Sequence, residues 1–375
     1  MLMLEKYQEA FFVLVQAGLW GRDASISKYD NVNFEEVYRL AQEQSVVGLV
    51  VAGLEKVTDI KMPQRAVLTM AGEVLQLEQR NRTMNAFVAE LLDKLRKENI
   101  YTLLVKGQGI AQCYERPLWR SSGDVDLFLN YDNYKQAIQV LSPLSSNIEE
   151  ENTYNQHLAM TLNGWLVELH GTLRSCLWKS LDKELDKVQY DVFKYGRVRT
   201  WMNGGTEVLL PAPDEDVVFV FSHILEHFFK EGIGLRQICD WCRLLYTYRE
   251  SLNHELLESR LRRAGVWTEW KVFATLAVTY IGMPMEAMPF YSESSRWKRK
   301  SSRVMAFILE SGNFGRNRDY SYQKKYPFVI SKAISLWRHI VDTVRYSFIF
   351  PLDSLRVLLR RLQDGFIVVA QGKRH

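Results

Sequence analysis

Apolar residues change their spacing twice along this 375-residue chain, and each change marks a shift in secondary structure. Over the first hundred residues they recur every three to four positions, the period of one buried helix face. Phe11, Phe12, Leu14, Val15 and Leu19 follow it, as do Val37, Leu40 and Ala41 ahead of Val46-Val47-Gly48-Leu49. A long helix is expected from about Ala71 to Lys97, with Leu75, Leu77, Met84, Phe87, Leu91, Leu92 and Leu95 as its buried stripe. From Asp214, read as an N-cap, the helical period returns.

The centre of the chain reads differently. Ile100 to Val105 is a short β-rich run closed by Lys106-Gly107-Gln108-Gly109, with a short helix expected from Ile110 to Tyr114 and a stop near Pro117. Asp124 to Leu129 is the next strand and Tyr131 to Leu141 the next helix. Leu158–Leu162 and Trp165–His170 flank Asn163-Gly164, a pair suited to a type I′ turn because both central positions need positive φ. Val188 to Val198 and Glu207 to Leu210 read as further strands. No internal repeat or low-complexity tract interrupts the order. The expected fold class is therefore α+β: a small mixed β-sheet core flanked by helical N- and C-terminal regions. Boundaries are expected at 1–98, 99–212, 213–290 and 291–375.

Hydrophobic residues make up 47% and charged residues 25%, a balance that supports a packed core and argues against disorder. The net charge is only +4, but it is unevenly placed. From Glu293 onward there are 17 Lys/Arg against 6 Asp/Glu; the rest carries 31 against 38. Lys332–Val341 and Leu355–Leu362 are basic and amphipathic, so this region is a candidate contact for an anionic membrane surface or another polyanion. Met1 to Lys6 lacks the layout of a secretory signal, and no run approaches the roughly 18 apolar residues of a membrane span. With only Cys113, Cys176, Cys239 and Cys242, the expectation is a cytoplasmic protein with reduced thiols, at most peripheral at the inner membrane surface.

The chemistry concentrates at Gly123-Asp124-Val125-Asp126-Leu127-Phe128. In a strand Asp124 and Asp126 project to one face, about 6–7 Å apart, where two carboxylates repel unless a cation sits between them. Mg²⁺ prefers such oxygen ligands and brings phosphate-bearing substrates. Three neighbours strengthen the reading. Lys106-Gly107-Gln108-Gly109 supplies a glycine turn that phosphate can approach closely. Arg116 and Arg120 are placed to neutralise phosphate oxygens. Glu168 brings a third carboxylate if its strand pairs beside the aspartates, and His170 then joins the same face.

Two other patterns carry less. His223-Ile224-Leu225-Glu226-His227 matches the inverted zinc-protease pattern, but no third ligand stands out. These histidines are expected to line the cleft between the helical region and the core, near Arg236 and Asp240. Cys239-Asp240-Trp241-Cys242 lacks the second pair of a zinc site and reads as two buried cysteines.

Lys106-Gly107, Tyr114, Pro117, Arg120, Gly123-Asp124-Val125-Asp126-Leu127, His157 and Glu168-Leu169-His170 together resemble an uncharacterised bacterial nucleotidyltransferase family of the DNA polymerase beta-like superfamily. The resemblance spans Phe11 to about Leu245. It implies a polymerase beta-like core in which Asp124, Asp126 and Glu168 are catalytic and hold two Mg²⁺ ions, with Mn²⁺ as a substitute. It also implies a nucleoside triphosphate (NTP) held by Lys106, Gly107, Gln108, Arg120 and His170. The chain departs from the superfamily pattern at Gln108, where Gly or Ser is usual, and in a longer gap from Gly107 to Asp124. The expected reaction moves a nucleoside monophosphate to an unidentified acceptor: small molecule, saccharide or protein. The rival expectation is a non-catalytic scaffold on a decayed nucleotidyltransferase fold. A nucleic-acid enzyme is a third, resting on the basic tail alone.

Overall fold

The structure is a computed structural model that describes residues 3–29, 32–60, 64–318 and 325–370. Met1 and Leu2 of the N-terminal segment, and Lys324, Lys373 and Arg374 of the basic tail, lie outside the described residues, as do the side chains of Lys332, Ala333, Leu336, Arg361 and Leu362.

The chain begins with helices α1 (Lys6–Trp20), α2 (Phe34–Glu43), α3 (Val47–Leu54) and α4 (Gln64–Lys97). A mixed segment follows: β1 (Leu103–Val105), α5 (Gly107–Ala111), β2 (Asp124–Phe128), α6 (Tyr131–Leu141), β3 (Asn147–Ile148), β4 (His157–Leu162), β5 (Trp165–His170), α7 (Lys179–Tyr195), β6 (Val198–Asn203) and β7 (Thr206–Pro211). The remainder is helical: α8 (Pro213–Lys230), α9 (Leu235–Tyr248), α10 (His254–Ala264), α11 (Trp267–Tyr280), α12 (Ser295–Ser311), α13 (Phe328–Ser347) and α14 (Pro351–Ala370). This is the expected α+β class: a small mixed sheet set among helices. Among the described residues, no helix is long and apolar enough to cross a membrane.

Five strands form the main sheet in the order β1-β2-β5-β4-β3, and β6-β7 form a separate hairpin. The central pair, β2 and β5, runs parallel, while β1 and β4 flank it antiparallel. Alternation then sorts the side chains. Val125, Leu127, Val167, Leu169, Leu158 and Met160 turn to one face and are buried with Met84, Val88, Leu91 and Leu95 of α4 and Tyr134 and Ala137 of α6. The opposite face carries the polar residues of the same strands. At the β4–β5 turn, Asn163 and Gly164 both have positive φ (50° and 80°), as a type I′ hairpin requires.

Four local expectations are corrected. Val188 to Val198 is mostly helix: with Leu181 and Leu185, Val188 and Val192 fall on one fully buried face of α7. In α4 the expected stripe holds through Met84, Phe87, Leu91, Leu92 and Leu95, but in its first half Met70, Val74 and Asn81 are buried instead, Leu75 is 67% exposed and Leu77 is only half-buried. The short helix starts at Gly107 rather than Ile110, and Ala111 ends it. Asp214 is not the N-cap of α8: Pro213 occupies the first helical position, where its missing N–H costs nothing, and Asp214 accepts bonds from Arg197 and the Asn253 amide.

Candidate active site

Register is what assembles the site. Asp126 is paired directly with Glu168 across the parallel β2–β5 pair, and Phe128 with His170. Asp124, Asp126, Glu168 and His170 therefore share the polar face of the sheet, and His157 joins them from β4 opposite His170. Together they line a cavity of about 400 Å³, whose far wall is built by Phe219, His223, Glu226 and His227 of α8 and by Arg236 and Asp240 of α9.

Asp126 is the centre of the network. Its carboxylate is 2% exposed, and its Oδ1 accepts from Lys106 Nζ at 2.8 Å and from His170 Nε2 at 2.8 Å. His170 Nε2 also lies 3.5 Å from Glu168 Oε2, which His157 Nε2 approaches to 3.2 Å. Among the described residues, His157, Glu168 and His170 also form a group whose ligand atoms lie within 4.8 Å of one another. Lys106 reaches Asp126 from a strained backbone, φ 54° and ψ −140°, a conformation costing a β-carbon-bearing residue about 1–3 kcal/mol. That position immediately precedes Gly107, whose φ of 34° brings the turn against the carbonyl of Asp124.

The charges interlock. Burial acts to raise the pKa of Asp126, but Lys106 and the bond from His170 outweigh it, and the carboxyl ends below its usual range. Burial also opposes ionisation of Glu168, yet hydrogen bonds from His157 and His170 hold its pKa far down. Asp124 goes the other way, pushed up by the charge on Asp126 and then by burial. Lys106 is raised: burial favours the neutral amine, but Asp126 and Glu168 prevail. His170 is raised as well, its bonds to Asp126 and Glu168 overcoming burial and the nearby Lys106. One carboxylate is thus doubly compensated while its neighbour, Asp124, is held as a weaker acid.

The loop leading into β2 is anchored from behind. Asn81, buried in the middle of α4, donates to the carbonyls of Leu118 and Arg120 at 2.8 Å each, and its Oδ1 accepts from Gln108 Nε2 at 3.1 Å. The Gln108 amide is therefore directed into the α4 interface rather than the cavity. Arg120 clamps the loop to α9: its Nε and Nη2 donate to Asp240 at 2.9 and 2.7 Å, and its Nη1 donates to Ser122 Oγ and the Ser121 carbonyl. Tyr114 adds a third bond to Asp240 at 2.7 Å. The Arg120 guanidinium, expected on phosphate, is thus given to Asp240. Arg116 lies outside the cavity, paired with Glu55.

Arg120 and Arg236 both line the cavity, and Arg236 is the less fully engaged of the two. Arg236 donates from Nη1 to the Ser121 carbonyl and keeps a buried Nε with no hydrogen-bond partner among the described residues. Burial and then the neighbouring Arg120 lower its pKa. Asn81 left one mark in the sequence, as an amide inside the buried stripe of a long helix. Arg236 is legible only as a neighbour of the cleft histidines, and it does line the cavity with His223, His227 and Asp240.

The fold and site together define a mixed α+β protein with three carboxylates and buried cations around one cavity. Residues 30–282 match the family described as uncharacterised nucleotidyltransferase, so the chain belongs to that family. A solved structure titled as an antigenic nucleotidyltransferase-like protein from Paracoccidioides brasiliensis is similar at 16% identity, covering 56% of this chain and 94% of its own, with a TM-score of 0.33. No curated protein matches the chain.

Proposed function

We propose that the chain transfers a nucleoside monophosphate from a nucleoside triphosphate to a hydroxyl or phosphate acceptor, using Asp124, Asp126 and Glu168 as metal ligands in a polymerase beta-like core. The observation that carries this reading is the Asp126–Glu168 register, which brings three carboxylates to one cavity face. The donor set fits Mg²⁺ or Mn²⁺: hard carboxylate oxygens from two adjacent strands, open to a space of about 400 Å³. Two such ions would stabilise charge on both the attacking and leaving oxygens of an in-line displacement.

The protein's own groups have separate tasks. Lys106 and Arg236 are the cations facing the triphosphate, with Gly107 keeping the turn low enough for phosphate to approach. Arg120 and Gln108 position this machinery through Asp240 and Asn81. His170 orients both Asp126 and Glu168. The depressed pKa of Glu168 suits a ligand that stays ionised and disfavours a role as general base. The acceptor oxygen, passing its proton to solvent where it is a hydroxyl, attacks the α-phosphorus, the bond to the bridging oxygen breaks, and pyrophosphate leaves. A decayed scaffold would have no need to keep three carboxylates and their cationic partners in one cavity.

The test is incubation of the protein with each labelled triphosphate, Mg²⁺ and a cell extract. A labelled acceptor is expected with the native chain and none with the D124N/D126N double variant. Label that persists in the double variant would place the chemistry elsewhere.

The proposal includes a cytoplasmic protein whose basic C-terminal helices meet an anionic membrane. Trp337, Val341, Val344 and Phe348 are exposed at helical spacing along α13 and just beyond it, and Leu352, Leu355 and Leu359 along α14. Co-sedimentation with anionic but not neutral vesicles is the expected result, and no binding to either at low salt would remove this part.

A further inference from the structure

Two imidazoles on one face of α8 meet tip to tip in the cavity wall. His223 Nε2 and His227 Nε2 are 3.0 Å apart, with ring centroids 4.3 Å apart and planes at 81°. Their other nitrogens face carboxylates: His227 Nδ1 lies 3.3 Å from Glu231 Oε2, and His223 Nδ1 lies 3.8 Å from Glu226 Oε2. A carboxylate beside Nδ1 favours the proton on that nitrogen and leaves the Nε2 lone pair for a metal, the usual second partner of a ligating histidine. Two lone pairs pointing at each other across 3.0 Å repel unless something positive lies between them.

We propose that His223 and His227 bind one divalent transition-metal cation of the Zn²⁺ type through their Nε2 atoms, in the cavity wall facing Asp124, Asp126 and Glu168. The spacing suits it. Two nitrogens about 2.0–2.1 Å from a tetrahedral ion stand about 3.3 Å apart, so the pair needs to open by only a few tenths of an ångström. Nitrogen donors select Zn²⁺, Co²⁺ or Ni²⁺ over Mg²⁺, so this site and the carboxylate set take different ions. The other histidines of the cavity are less available. His157 Nε2 and His170 Nε2 are already on Glu168 and Asp126, whereas the Nε2 atoms of His223 and His227 have each other.

Phe219, one turn before His223, and the Phe314 ring, 4.8 Å from that of His227, shelter the pair. The two remaining coordination positions open into the cavity, where an anionic or hydroxyl oxygen of a bound substrate is the fitting ligand class. The site does not depend on nucleotidyl transfer being the reaction.

The competing arrangement is a plain hydrogen bond, with His223 Nε2–H donating to His227 Nε2. Titration of the chelator-treated full chain with Zn²⁺ by calorimetry, and with Co²⁺ by visible absorbance, separates the two. One saturable site per chain is expected, with affinity lowered at least about 10-fold in H223N/H227N and retained in D124N/D126N. The E231Q variant, which keeps both ligands, is expected to weaken binding about 10-fold by freeing His227 Nδ1. Circular dichroism checks that each variant is folded. Absence of saturable binding in the native chain, its survival in H223N/H227N, or its loss in H157N/H170N instead, would each overturn the assignment.

Discussion

Arg120 and Asp240, 120 positions apart in sequence, are joined by two parallel hydrogen bonds in a pair about 5% exposed on each side. The pair ties the loop ahead of Asp124 and Asp126 to helix α9, and with it the sheet to the helical half of the cavity. Removing one partner leaves the other charge buried and alone, which typically costs about 3–5 kcal/mol. D240N is expected to lose stability on that scale in denaturant unfolding. R120M/D240L, which removes both charges, is expected to recover part of it. A D240N variant within about 0.5 kcal/mol of native would show that the clamp does not hold the loop.

The same loop is braced on its other side by a glycine. A β-carbon added to Gly48 of α3 would stand 2.0 Å from the carbonyl oxygen of Trp119, a backbone atom that no side-chain rotation can move away. G48A is therefore expected to cost about 1–3 kcal/mol or more. If the loop carries the site, triphosphate turnover falls alongside stability, even though Gly48 lies outside the cavity. Calorimetric melting together with the labelling assay checks both halves of this expectation.

Lys106 tests the charge network. K106M keeps the length of the side chain and removes its ammonium, while His170 Nε2 still bonds to Asp126. On the proposed role of Lys106 beside the triphosphate, turnover is expected to fall about 100- to 1,000-fold while the fold persists. Turnover within about threefold of native would remove Lys106 from the machinery.

Acid stability should carry the signature of His223. Burial first, then the charge on Lys106 and the adjacent His227, lower its pKa from 6.5 to about 3. The unfolded chain therefore binds this proton at higher pH than the folded chain does. The linked stability is present in full above pH 6.5 and is lost as pH falls from there towards 3, by at most about 1.4 kcal/mol per pH unit. With a chelator present, H223N should show a flatter stability profile between pH 6 and 4. Identical slopes in the two proteins would contradict a half-buried imidazole held neutral.

Much of the site was legible because strand alternation is a local rule. Asp124 and Asp126 had to share a face, Val125 and Leu127 the other, and Asn163-Gly164 had to turn the chain between β4 and β5. Pairing Glu168 with Asp126 is a non-local choice between strands, so the sequence supports it only as a condition on which strand lies beside which. The partner of Arg120 is hidden for a similar reason. A lone arginine before the aspartates suits phosphate, and nothing near it in the chain announces Asp240, which lies beyond six intervening strands and helices α6 to α8. α7 was misread in part because Val188 and Val192 are β-branched, and residue preference gave way to the spacing they share with Leu181 and Leu185.

The most direct test of the account is a crystal structure of the native chain with Mn²⁺ and a non-hydrolysable nucleoside triphosphate, read by anomalous scattering. Manganese peaks bonded to Asp124, Asp126 and Glu168, with the triphosphate alongside Lys106 and Arg236, are the predicted result. A bound triphosphate with no manganese at these three carboxylates, or manganese bound on a different face of the sheet, would contradict it.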